Sequence, residues 1–143
     1  MKRIHLLVAF VALIIVSSCA TTGKLRTYNK IGLSKVQAGM SEDEVLALTN
    51  KITKSTTEFG QLYNNPYNKT LTTLKNGDVI STLWFYTDKI SADGQINMNE
   101  LTPITFENNQ VVGIGWKSYL DFCDVKDITP EDYRGVPSID KKK

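Results

Sequence analysis

The chain has 143 residues, 41% hydrophobic and 22% charged, with seventeen Lys and Arg against fifteen Asp and Glu. Two of the cations, Lys2 and Arg3, precede the apolar run Leu6–Val16, and from Cys19 onward fifteen basic residues balance fifteen acidic ones. That balance excludes a nucleic-acid reader built on phosphate neutralisation, which needs a clustered basic face. The only histidine, His5, lies ahead of Cys19, which excludes histidine metal sites and Ser-His or Cys-His catalytic pairs from the rest of the chain.

The first nineteen residues have a positive start, an apolar stretch and two small residues, Ser17 and Ser18, before Cys19. A bilayer-spanning helix needs about twenty apolar residues and this run is roughly half that, so it reads as a secretory signal, to be left out of fold reasoning. Val16-Ser17-Ser18-Cys19 resembles the bacterial lipobox, an aliphatic residue and two small ones before a cysteine. Small side chains let the backbone enter a peptidase groove, and the cysteine sulfur is the nucleophile that receives diacylglycerol. The resemblance implies signal-peptidase recognition through Val16, Ser17 and Ser18, lipidation of Cys19 and acylation of the freed amine, palmitate being one such chain. Two or more chains anchor stably at roughly 0.8 kcal/mol per buried CH₂. Ala20 stands where an inner-membrane retention signal has Asp, which points to the periplasmic face of the outer membrane of a Gram-negative cell. The alternative is an ordinary signal cut after Ser18 or Ala20, with an incidental cysteine. On the lipobox reading, Cys123 has no partner for an intrachain disulfide. Asp121 and Asp124 beside it disfavour its thiolate, so it is expected as a small buried hydrophobe, with an intermolecular disulfide as the alternative.

The boundaries expected from composition are a signal over 1–18, a lipidated cysteine and polar tether over 19–35, one domain over 36–123 and a polar tail over 124–143. Within the domain, Gly39-Met40-Ser41-Glu42-Asp43-Glu44-Val45 predicts a helix start. Ser41 caps it, Glu44 completes a capping box, and Met40 with Val45 forms a hydrophobic staple. Val45, Leu48 and Ile52 then recur on one face. Phe59 to Tyr67 reads either as a loop or as a brief helix. Leu71–Leu74 and Val79–Thr87 flank Lys75-Asn76-Gly77-Asp78, a tight-turn signal that predicts a hairpin. A polar loop over Asp88–Glu100 follows, and then a second hairpin, Thr102–Glu107 and Val111–Tyr119, around Asn108-Asn109-Gln110. Gly113 and Gly115 in its last strand mark a bulge or a close backbone approach.

Few residues invite chemistry. The loop Lys89–Glu100 places Asp93, Gly94, Ile96 and Glu100 at positions 5, 6, 8 and 12 of a calcium loop, but Lys89 occupies the first ligand position and defeats it. Neighbouring carboxylates (Asp121 with Asp124, Glu131 with Asp132) carry no sign of burial in a cleft. No catalytic residue, metal ligand or cofactor is expected beyond the covalent lipid on Cys19. Trp84, Phe85, Tyr86 and Trp116 read first as core; on a small sheet whose second face is uncovered, Ile80, Trp84 and Tyr86, joined by Trp116, would instead be exposed protein-contact anchors.

Val36-Gln37-Ala38-Gly39-Met40-Ser41-Glu42-Asp43-Glu44-Val45-Leu46 resembles the opening of small outer-membrane lipoproteins of the BamE/SmpA type. Where that family usually continues with Leu-Gly-x-Pro, this chain has Ala47-Leu48-Thr49-Asn50-Lys51, so the resemblance is to a divergent member. It implies an α+β fold, with one or two N-terminal helices packed on a small antiparallel sheet of three to four strands, an architecture shared with β-lactamase-inhibitor-like domains. It also implies a non-enzymatic envelope lipoprotein, a protein-binding or scaffold module in outer-membrane protein assembly or envelope maintenance, with the membrane and an envelope protein as partners. The alternative function is a small periplasm-facing inhibitor or sensor that binds an enzyme, peptidoglycan or lipid.

Overall fold

The computed structural model describes residues 23–57 and 60–130. The expected signal segment, Cys19, Phe59 and residues 131–143 of the expected tail lie outside them. Helix α1 runs over 23–33 and α2 over Glu42–Thr49. Strands β1 (Lys54–Thr56) and β2 (Leu62–Asn64) form a separate antiparallel pair. The main sheet is antiparallel, in the order β3 (Asn68–Thr73), β4 (Val79–Tyr86), β5 (Leu101–Glu107) and β6 (Gln110–Ile114). Helix α3 (Gly115–Lys126) follows β6. The fold is α+β, as the sequence predicts, with helices packed on sheets of two and four strands.

The period-2 pattern of β4 sorts the core into two layers. Leu83 and Phe85 point to one face, where they meet Ile104, Phe106 and Val111 from the sheet and Leu33, Val36 and Val45 from the helical side. Trp84 and Tyr86 point to the other, among Leu101, Tyr119, Cys123, Leu25 and Tyr63. Every residue of β4 after Val79 is buried, as a central strand covered on both faces must be.

The capping box of α2 forms as read. Glu44 N–H donates to Ser41 Oγ at 3.3 Å and Ser41 N–H to Glu44 Oε2 at 2.8 Å. The helix ends at Asn50, so Ile52 lies beyond it. Both hairpins also form, and their turns are tied together. Asn108 Oδ1 accepts from Val79 N–H at 3.0 Å, and Asn108 Nδ2 donates to Asp78 Oδ1 at 2.9 Å. The Asn108 bond first, and then one from Asn76 Nδ2, hold the Asp78 carboxyl below its usual range.

Three expectations are corrected. Residues 23–33 are not a tether: Leu25, Asn29 and Leu33 are buried one helical turn apart, and Gly32 packs so closely that a Cβ there would sit 2.5 Å from the Leu48 carbonyl oxygen. The segment up to Tyr119 is not one strand. Gly115 takes φ +78, open to glycine and costly for other residues, and the chain turns there into α3. The close approach expected at the glycines is also found, since a Cβ on Gly113 would lie 3.3 Å from Ser118 Cβ. Finally, Ile80, Trp84 and Tyr86 are not exposed anchors. Their exposures are 5%, 0% and 5%, because α3 covers that face, and Trp116 sits half-buried on Trp84 with ring centroids 5.3 Å apart.

Candidate functional site

Two of the buried polar groups among the described residues, which the sequence did not single out, shape the region between α1 and the β1–β2 hairpin. Asn29 and Asn65 face each other, each side-chain amide donating to the other's oxygen at 3.0 Å. Asn29 Nδ2 also donates to the Tyr86 carbonyl at 2.8 Å, and Asn65 Nδ2 to the carbonyls of Ile52 at 3.0 Å and Thr49 at 3.2 Å. Both residues are buried, where unpaired amides would be costly. The clasp therefore joins α1, the exit of α2, the end of β2 and β4, and it fixes the backbone at Ile52.

Ile52 in turn walls an open groove of about 430 Å³, completed by Lys24, Lys54, Ser55, Thr56 and Leu62. Its apolar surface is Ile52 and Leu62, the latter 62% exposed at mid-strand in β2. Alternation along β2 explains why: Tyr63 turns inward onto Tyr86, ring centroids 5.8 Å apart and edge to face, so Leu62 turns out. Ser55 stands directly opposite Tyr63 on β1, and burial pushes the Tyr63 hydroxyl pKa up.

The groove rim is basic. Other cations nearby are engaged: Lys30 pairs with Asp88 at 2.7 Å, Arg26 lies over the Tyr86 ring, and Lys51 lies over Tyr28. Lys24 and Lys54 have no ion-pair partner among the described residues. An apolar surface beside two lysines without an ion-pair partner among the described residues suits an apolar side chain flanked by carboxylates.

The loop before β5 is organised from within. Glu100 is 1% exposed, and its Oε1 accepts from Ile90 N–H at 2.6 Å and Ser91 N–H at 3.0 Å while Oε2 accepts from Asn97 N–H at 3.1 Å. The carboxylate at the twelfth loop position thus holds the loop's own amides. Cys123 is buried at 1%, and desolvation raises its thiol pKa, with Asp124 adding to the effect and Tyr119 opposing it. Among the described residues no three His, Cys, Asp or Glu side chains cluster to hold a metal ion, and no helix is long and apolar enough to cross a membrane.

Residues 20–121 match the family model described as Protein of unknown function (DUF3192), which spans well over half of the chain; the chain belongs to that family. No curated protein and no solved structure matches it.

Proposed function

We propose that this member of the DUF3192 family is a lipid-anchored, non-enzymatic protein-binding module of the outer membrane. In this reading it faces the periplasm and its groove receives an apolar side chain of an acidic partner segment. The groove carries the reading: Leu62 is held out of the core on a short strand, beside Ile52 and two lysines that have no ion-pair partner among the described residues. The lipobox-like Val16–Cys19 supports the anchor, and with Lys24 only five residues after Cys19 an anchored chain would hold the groove near the membrane. Two helices ahead of an antiparallel sheet is also the order that the BamE/SmpA resemblance implies, which extends the proposal to assembly or maintenance of envelope proteins.

A photoreactive residue at Leu62, expressed in cells, tests this. A protein adduct formed at Leu62, not formed at the 81% exposed Val125 and reduced several-fold by Lys24→Glu with Lys54→Glu, supports the module. Absence of a protein adduct sinks it, and recovery of cell-wall fragments instead supports the inhibitor or sensor reading. The anchor is tested apart: Cys19→Ala must abolish maturation to the mature mass on the membrane, and a variant still bound there at that mass rejects lipidation.

A further inference from the structure

The two edges of the main sheet are treated differently. The β6 edge is closed by the segment before α2: Gly39 N–H donates to Val111 O at 2.9 Å, Val111 N–H to Met40 O at 2.8 Å, and Ser41 bridges to Gln110. The register shift between Thr105 and Phe106, where β5 meets β6, distorts that edge further. At the β3 edge no described segment pairs, and five of its six residues are exposed. Edges left open in folded proteins usually carry a proline, a bulge or an outward charge that blocks pairing. Strand β3, Asn68-Lys69-Thr70-Leu71-Thr72-Thr73, has no proline, and its pairing with β4 runs without a shift. Its one charge is not free to repel, because Lys69 Nζ folds back onto Glu42 at 2.6 Å.

The hydrogen-bond phase of β3 says which groups face outward. Leu74 N–H donates to Asp78 O at 2.8 Å, and bonded and non-bonded positions alternate in an antiparallel pair. Thr72 and Thr70 therefore direct their backbone groups into β4, and Lys69, Leu71 and Thr73 direct theirs away from the sheet. Lys69 N–H is already taken by Asn68 Oδ1 at 2.8 Å. The outward N–H groups left are those of Leu71 and Thr73.

We propose that β3 pairs antiparallel with β3 of a second copy of this chain, about a twofold axis at Leu71, to make one continuous eight-stranded sheet. In that register Leu71 N–H of each copy meets Leu71 C=O of the other, and Thr73 N–H meets Lys69 C=O. Four backbone bonds form without displacing the Asn68 cap on Lys69. Directly opposite residues share a face in an antiparallel pair. Leu71, 64% exposed in one copy, therefore covers its twin, Thr70 stands against Thr72, and Lys69 meets Thr73 and not another lysine. The register thus removes the exposed leucine from water and opposes no like charges, and the pairing is isologous and closes at two copies. A strand from a different protein would share the backbone bonds but not this self-matched set of side chains. The pairing leaves the groove at Leu62 free and does not rest on it.

Leu71→Cys in the full chain, oxidised in intact membranes, tests the register. Opposed Cα atoms in a bonded pair lie about 5.5 Å apart, within the roughly 4.4–6.8 Å span of a disulfide. The expected result is a reducible band at twice the monomer mass for Leu71→Cys, and a mixed band when Lys69→Cys and Thr73→Cys chains are co-expressed. The exposed control Val125→Cys should give neither. Leu71→Lys, on an exposed site that folding does not need, should return the detergent-solubilised protein to monomer mass in sedimentation. A Leu71→Cys band no stronger than the Val125→Cys control, a band at the mass of some other protein, or an unchanged mass for Leu71→Lys overturns the proposal.

Discussion

At the scale of single residues, the polar groups inside this fold decide more than their number suggests. Asn65 ties α1 and the exit of α2 to the end of β2 through one side chain, and its removal takes a donor from the Asn29 oxygen and from the carbonyls of Thr49 and Ile52. A buried group left without its partner costs about 1–3 kcal/mol, so Asn65→Ala should lower the unfolding free energy by roughly 3 kcal/mol, read from the urea midpoint by circular dichroism. The two asparagines should also couple. In a double-mutant cycle with Asn29→Ala the second loss should be smaller than the first, by roughly 0.5–3 kcal/mol as contacting pairs show. Strict additivity would mean that the reciprocal bonds carry no energy of their own. Because the clasp fixes Ile52, a variant that still folds should lose adduct formation at Leu62 as well, which ties this stability term to the groove.

At the scale of elements, α2 and α3 behave differently under test and were legible to different degrees. Helix α2 is written out locally. Ser41, Glu44 and the acidic first turn fit one cap, and Ser41's backbone N–H, followed by its hydroxyl, holds the Glu44 carboxyl below its ordinary value of 4.5. A lowered folded pKa gives stability that is present above the unfolded value and is lost as pH falls through the folded one. The difference in thermal midpoint between wild type and Glu44→Gln should thus be full at pH 7 and shrink below about pH 4; a difference that persists at pH 2 would contradict the charged cap. Helix α3 has no side-chain cap, and it follows a strand with only Gly115 to mark the change. Its stripe Trp116, Tyr119, Leu120 and Cys123 does recur at helical spacing. The aromatic residues, equally at home in strands, mask that period, and the exposed face expected for Trp84 vanished with it. Helix α1 was harder still, since one position of its buried stripe is Asn29, a polar residue whose partner Asn65 lies far along the chain. The hairpins, whose turn chemistry is local, were readable; the clasp and the groove depend on long-range pairing and were not. The α3 interface has its own reporter. Tyr119 stands edge to face on both Trp84 and Trp116, at 5.1 and 5.8 Å, and these are the two tryptophans of the chain. Tyr119→Ala should cost about 3–5 kcal/mol and shift tryptophan emission to longer wavelength in the folded state; unchanged emission would mean that α3 does not cover the sheet.

At the scale of the whole molecule, the charge count and the start of α1 together constrain how the proposed anchor works. Fifteen cations against fifteen anions from Cys19 onward leave no net attraction to an anionic surface, so attachment should survive salt that cuts the screening length to about 3 Å. The reach of that anchor is short. A seventeen-residue tether would let the domain roam, but α1 is already helical at Gly23, and the three residues Ala20, Thr21 and Thr22 can span only about 10–14 Å. With the proposed lipid on Cys19, Lys24 at the groove rim would be held close to the membrane surface, and a partner that fills the groove would have to present its segment at that height. Effective concentration makes this measurable, because a linked encounter weakens as the linker lengthens beyond the span it must bridge. Insertion of a twenty-residue Gly/Ser linker between Thr22 and Gly23 should leave the protein in the membrane pellet after a 1 M salt wash, about the ionic strength at which that screening length applies. The same insertion should reduce adduct formation at Leu62 several-fold. Salt release of the unmodified chain would show that attachment is Coulombic after all. Full adduct formation with the long linker would show that the partner comes to the groove from solution, and that the short reach of α1 has no role in recognition.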